Sequence, residues 1–209
     1  MKRLIATLLL LSSPLFAEGE RSGVFDYYVL SLSWTPSWCE TTGDARGSEQ
    51  CDAGRGFGFT LHGLWPQYED GWPSYCRHNF RQATRAETAA MTDIMGTSGL
   101  AWHQWKKHGS CAGMSAPEYF ELSRKAYNSI DRSNLLRQLE TEVEITAAVV
   151  EQAFLEVNPN LAPAHIEVTC KNGNIQEARI CLSKQLEPFD CTFKRKSCGA
   201  GTYDLPPIR

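Results

Sequence analysis

The chain has 209 residues, is 42% hydrophobic and 22% charged, and carries a formal charge of −3. That balance suits a folded domain and excludes a protein that gathers polyanions through its overall field. An anionic ligand would have to be held by a local cationic site.

Residues 1–17 read as a targeting leader. Lys2 and Arg3 precede an apolar run over residues 4–16, short for a bilayer span, and Ala17 offers a small residue for cleavage. About 190 residues follow, enough for one domain with a substantial core, and loss of Lys2 and Arg3 moves the charge to about −5. No later stretch is apolar enough for a membrane helix, so the expected product is exported, to a periplasm or beyond, and not membrane-bound. All eight cysteines lie in this remainder. Their even count and irregular spacing, with no C-x-x-C pair, favour four disulfides over zinc, without fixing the pairing.

From Val24 to Trp34 the chain alternates, with Tyr28, Leu30, Leu32 and Trp34 on one face and Val29, Ser31 and Ser33 on the other, which predicts a strand. Residues 39–56, rich in Gly, Asp and Ser, read as a loop. A second strand over 57–62 places Phe57, Phe59 and Leu61 toward the core and Thr60 and His62 opposite, and Gly63 is expected to end it. Thr84 with Glu87 forms a capping-box signature ahead of one helix; Ser115 with Glu118, plus Pro117, opens another; Thr146 opens a third that stops before Pro159. Strands return at 166–170 and 175–183, separated by the turn signal Asn172-Gly173. Strand, helices, then strands predict a single α+β domain with a mainly antiparallel sheet flanked by helices.

Two segments concentrate the chemistry: FTLHGLWP at 59–66 and WHQWKKHGSC at 102–111, which hold three of the five histidines. Read as a helix, the second places His103, Gln104, Lys107 and His108 along one broad stripe, leaves Trp105 for the core, and offers Gly109 as a C-terminal cap. His108 in the last turn feels the negative end of the helix dipole, which favours its protonated form. His103 and His108 are five residues apart, about 140° around the axis, and Lys107 would repel a cation, so no metal is expected. Two imidazoles and a lysine with no nucleophilic Ser or Cys suit proton transfer around an anionic substrate.

These two segments resemble the active-site segments of the T2 ribonucleases, and the resemblance extends over DYYVLSLSWTPSWC, YCR at 75–77 and IQEARICLSKQLEPFDC. It implies a metal-independent acid endoribonuclease, without cofactor, monomeric, that cleaves single-stranded RNA through a 2′,3′-cyclic phosphate and does not cut DNA. Carried over by position, His108 would be the general base on the 2′-hydroxyl and His62 the general acid on the leaving oxygen. His103 and Lys107 would hold the phosphate, with Gln104 donating to it, and Trp65, Tyr68 and Trp72 would stack on bases. The pairs Cys39–Cys51, Cys76–Cys111, Cys170–Cys198 and Cys181–Cys191 are likewise implied by the resemblance. The chain departs from the family at Gln104, where Glu is usual, which implies retained activity with a shifted pH profile, and at Gln67, where an acid often follows the Pro. A binding module that kept the scaffold without turnover is the rival reading, and Gln104 is its support. The FKRK run at 193–196 reads as solvated surface.

Overall fold

In the computed structural model, residues 20–192 and 198–209 are described. The expected leader and the FKRK run lie outside them. Strand β1 (Tyr27–Trp34) is central, with the rest built around it in chain order: α1 (Thr35–Trp38), β2 (Phe59–Gln67), α2 (Arg85–Ala89), α3 (Thr92–Met95), α4 (Ser98–Lys107), α5 (Ala116–Asn128), α6 (Asn134–Arg137), β3 (Val143–Ile145), α7 (Ala147–Val157), β4 (Ile166–Lys171), β5 (Asn174–Leu182) and β6 (Tyr203–Leu205). Among the described residues the sheet has six strands. β2 and β5 flank β1 antiparallel, β4 pairs with β5 antiparallel, and the short β5–β6 pairing is parallel. The α+β class and the mainly antiparallel sheet are as the sequence predicts.

The alternation in β1 sorts its side chains. Tyr28, Leu30, Leu32 and Trp34 enter the main core with Phe59, Leu61, Leu64, Trp105, Tyr119 and Phe154. On the other face Tyr27 and Val29 form a small second cluster with Cys181, against which Trp65 packs. Ser31 and Ser33 sit between, short enough to leave room above the strand.

β2 differs from its expected course. Leu32 pairs with Leu61 and Ser31 with Gly63, so His62 is an extra residue with no partner across the ladder, a β-bulge. The strand then continues past Gly63 to Gln67 instead of stopping. Pro66 is tolerated because β2 is an edge strand, where a missing N–H costs no ladder bond. The bulge advances the two-residue period by one position. Leu64 therefore faces the core, and Trp65 joins His62 on the opposite face.

Both predicted capping boxes form, at Thr84/Glu87 and Ser115/Glu118. The first helix breaks into α2 and α3; Thr88 and Thr92 turn their hydroxyls back onto the carbonyls of Thr84, Arg85 and Ala89, offering the backbone alternatives to a continuous helix. Asn172 and Gly173, at φ 51° and 85°, make the tight β4–β5 turn. Within the expected loop over 39–56, Cys39–Gly43, Asp44–Arg46 and Glu49–Cys51 are wound into short helical turns, and 52–56 remain irregular. The four disulfides are Cys39–Cys51, Cys76–Cys111, Cys170–Cys198 and Cys181–Cys191. Cys76–Cys111 ties the segment following α4 to the loop after β2. Among the described residues no helix is long and apolar enough to cross a membrane.

Candidate active site

A cleft of about 550 Å³ opens between the second face of the sheet and α4, lined by all eight residues named from the sequence: His62, Trp65, Tyr68, Trp72, His103, Gln104, Lys107 and His108. Tyr27, Val29, Gln67, Glu69, Asp70, Arg179 and Thr192 also line it. Residues from β1, β2, α4 and β5 thus meet at one concavity.

The bulge sets His62. Its Nδ1 lies 2.5 Å from Oε1 of Glu177, a residue of β5 that is only 4% exposed. Glu177 reaches His62 across β1, over the small side chains of Ser31 and Ser33, which pair with Arg179 and Glu177. The second carboxylate oxygen accepts from Arg179 Nε at 3.0 Å and Nη2 at 2.7 Å. Burial alone would raise Glu177, but the charges and hydrogen bonds of His62 and Arg179 outweigh it and hold the carboxyl at about 2. With Nδ1 turned to Glu177, Nε2 is the His62 nitrogen left for the cleft.

α4 supplies the opposite wall. Thr97 caps it by accepting from Leu100 N–H, and Trp105 anchors it in the core. Gln104 is buried. Its Oε1 accepts from Trp65 Nε1 at 2.7 Å, and because an indole only donates, the amide orientation follows, leaving Nε2 as the donor toward the cleft. Gln104 therefore joins α4 to β2, and only one half of its amide serves the use expected from the sequence. Gly63 permits the contact: a Cβ there would collide with both Gln104 and Trp65.

His108 is the helix C-cap and is buried, with its ring stacked on Trp65 at 5.2 Å. His62 meets Trp65 edge-on at 5.1 Å, so the two imidazoles stand on one indole, separated by no more than the sum of those distances. The protonation expected for His108 is reversed. Desolvation first, then the charges of Lys107, His62 and His103, push it down to about 3. The helix dipole is a weaker influence than burial beside cations. His103 is exposed and also lowered, by desolvation and then by Lys107, His62 and Lys106. Gly109 is not a left-handed cap either. It begins a 3-10 turn, and it is glycine because a Cβ would strike Trp105 and Tyr119.

The aromatic residues divide. The Trp65 ring contacts His62, His108 and the Arg179 guanidinium, the last at 5.3 Å. Tyr68 is half-buried and Trp72 is exposed at the cleft wall. Sequence reasoning did not single out Glu177 and Arg179; the available signal was their alternation with Ala178 and Ile180, which puts both charges on the face of β5 away from the main core. As for metals, the one candidate donor group among the described residues, Cys39, Asp44 and Cys51, has both sulfurs committed to a disulfide.

Residues 25–191 match the model of the Ribonuclease T2 family. The chain belongs to the ribonuclease T2 family. It is 40% identical over 129 residues to a ribonuclease of Aeromonas hydrophila, covering 59% of this chain and 56% of that protein. It is 29% identical over 181 residues to a probable ribonuclease of Haemophilus influenzae, covering 81% of this chain and 62% of the relative. The chain therefore spans under two thirds of either relative's length. Among solved structures, RNase NT in complex with 5′-AMP superposes with a TM-score of 0.68 at 22% identity, covering 88% of this chain and 100% of that one. An RNase-related protein from Calystegia sepium superposes with a TM-score of 0.67 at 21% identity, covering 87% and 97%. Both share the fold. In this T2-family chain the matched span contains every cleft residue named above except Thr192.

Restoring the usual acid is informative. Gln104→Glu would place a carboxylate one helical turn before His108, which favours the imidazolium. The His108 imidazole titration, followed by NMR, should then move up by about one unit. An unmoved titration would mean that residue 104 and His108 are electrostatically independent.

Proposed function

We propose that the protein is an endoribonuclease that cleaves single-stranded RNA by transphosphorylation, leaving 2′,3′-cyclic phosphate ends that are then slowly hydrolysed to 3′-phosphates. The observation that carries this reading is the pair His62 and His108, both packed against Trp65 in a cleft that also receives Lys107. A neutral His108 takes the proton of the 2′-hydroxyl as that oxygen attacks phosphorus. His62 Nε2 delivers a proton to the 5′-oxygen as the P–O5′ bond breaks. His103, Lys107 and the Gln104 amide stabilise the charge that develops on the non-bridging oxygens. The anionic phosphodiester counters the cations that depress His108, so substrate binding itself makes it a stronger base.

RNA carries its own nucleophile, so this chemistry needs neither a serine nor a metal. DNA lacks that hydroxyl and should bind without being cut. Disulfides at all eight cysteines suit an oxidising compartment, and we place the protein, as a monomer, in a periplasm or outside the cell. Digestion of RNA in excess chelator tests the reading. Undiminished cleavage, with cyclic phosphate ends and intact DNA controls, is the expected result. Chelator-sensitive cleavage would point to a metal-dependent hydrolase, and complete inactivity to a binding module.

A further inference from the structure

We infer that Glu177 is a positioning residue for His62: clamped by Arg179, it fixes the imidazole with Nδ1–H turned inward and balances its charge, so that Nε2 is the atom that protonates the leaving group. The inference rests on the reaction proposed above, with His62 as general acid. A carboxylate on the face of a central sheet is costly to bury unless its oxygens are satisfied. Here one oxygen faces His62 Nδ1 and the other receives the Arg179 fork. The His62 contact spans β1 because β1 presents serines between β2 and β5: Ser33 is opposite Glu177, and its hydroxyl reaches Oε1, the oxygen that faces His62, at 3.5 Å.

The groups around His62 make the carboxylate's part specific. From α4 it faces His103, Lys107 and His108, and from β5 Arg179, all basic; Trp65 from β2 is neutral. Among the described residues Glu177 is the carboxylate in contact with the ring. His108 has no such partner: its Nδ1 is buried and makes no hydrogen bond among the described residues. Two imidazoles in one cleft therefore have opposite surroundings, one in contact with a buried carboxylate and one desolvated among cations. When His62 Nε2–H passes to the 5′-oxygen the ring becomes neutral, and Nδ1–H stays on Glu177, which takes no proton. Arg179 keeps that carboxylate ionised and stops it from swinging away.

The test compares wild type, Glu177→Gln, Arg179→Gln and His62→Ala on two substrates. One is a dinucleoside phosphate, whose alkoxide must be protonated to leave. The other is a nucleoside 3′-(4-nitrophenyl phosphate), whose phenolate leaves without help. Glu177→Gln should lower kcat on the dinucleoside by about 10- to 100-fold with KM little changed, and kcat on the nitrophenyl substrate by less than about threefold. Arg179→Gln should give a smaller loss of the same pattern. In wild type, ring ¹⁵N shifts should show neutral His62 protonated on Nδ1, a readout that stands even if Glu177→Gln does not fold. Equal losses on both substrates, no loss on either, or a His62 proton on Nε2 with Nδ1 bare would overturn the inference. If His62→Ala cleaves the dinucleoside normally, the acid assignment itself is wrong. If His62→Ala is impaired while Glu177→Gln is not, only the positioning role fails.

Discussion

Alanine at either His62 or His108 should lower cleavage of RNA by about 10²- to 10⁴-fold, the range that a placed proton donor or acceptor contributes. The two variants should be separable. Without His62 the leaving oxygen departs unprotonated, so a substrate with a good leaving group should be largely spared. Without His108 the 2′-hydroxyl loses its base, and both kinds of substrate should suffer. The structural costs also differ. His62→Ala strips Glu177 of its Nδ1–H donor and leaves a buried carboxylate held by Arg179 and the distant Ser33 hydroxyl, a loss of roughly 1–3 kcal/mol. His108→Ala removes a ring stacked on Trp65. Rates measured alongside thermal melts distinguish lost chemistry from lost folding, and near-normal rates in either variant would refute the assignment.

A second large effect is expected in stability against pH. His108 is held at about 3 in the folded protein, against about 6.5 when unfolded, chiefly because it is desolvated. Between those values the unfolded chain binds the proton and the folded one does not. Stability is thus full above about pH 6.5 and falls as the solution is acidified, by up to about 1.4 kcal/mol per pH unit. Glu177 has the same sign: folded at about 2, it is depressed below an ordinary glutamate near 4.3, so its contribution is lost as the pH falls through that lower window. Denaturant unfolding from pH 7 to pH 4.5, before most carboxylates titrate, reads the histidines, His103 with the same sign as His108, and the His108 variant separates the two. His108→Phe should show a markedly flatter slope than wild type. Parallel slopes would mean that His108 titrates normally in the fold.

Local patterns were legible in the sequence wherever one segment held the whole signal. The alternation in β1, both capping boxes, the Asn172-Gly173 turn and the grouping of His103, Gln104, Lys107 and His108 on one helix all required only neighbours in the chain. What escaped depended on other strands. The bulge at His62 is a register choice between β2 and β1, and Gly63 and Pro66 look like a strand end until β2 is known to lie at the sheet edge. The Glu177–His62 contact joins residues 115 positions apart, through space opened by two serines. The state of His108 is not legible in the sequence, because a helix position reveals the dipole but not the burial, and burial decides. Gly109 looked like a cap, whereas tertiary packing against Trp105 and Tyr119 is what excludes a side chain there.

The most direct measurement is a structure of the protein with a 2′-deoxy dinucleoside phosphate, which occupies the cleft and cannot react. The phosphorus should lie between Nε2 of His62 and the His108 ring, with the 5′-oxygen on the His62 side, C2′ on the His108 side, and Lys107 on a non-bridging oxygen. A phosphate bound outside this cleft, or one with His62 beside C2′ and His108 beside the 5′-oxygen, would contradict the division of labour between the two histidines.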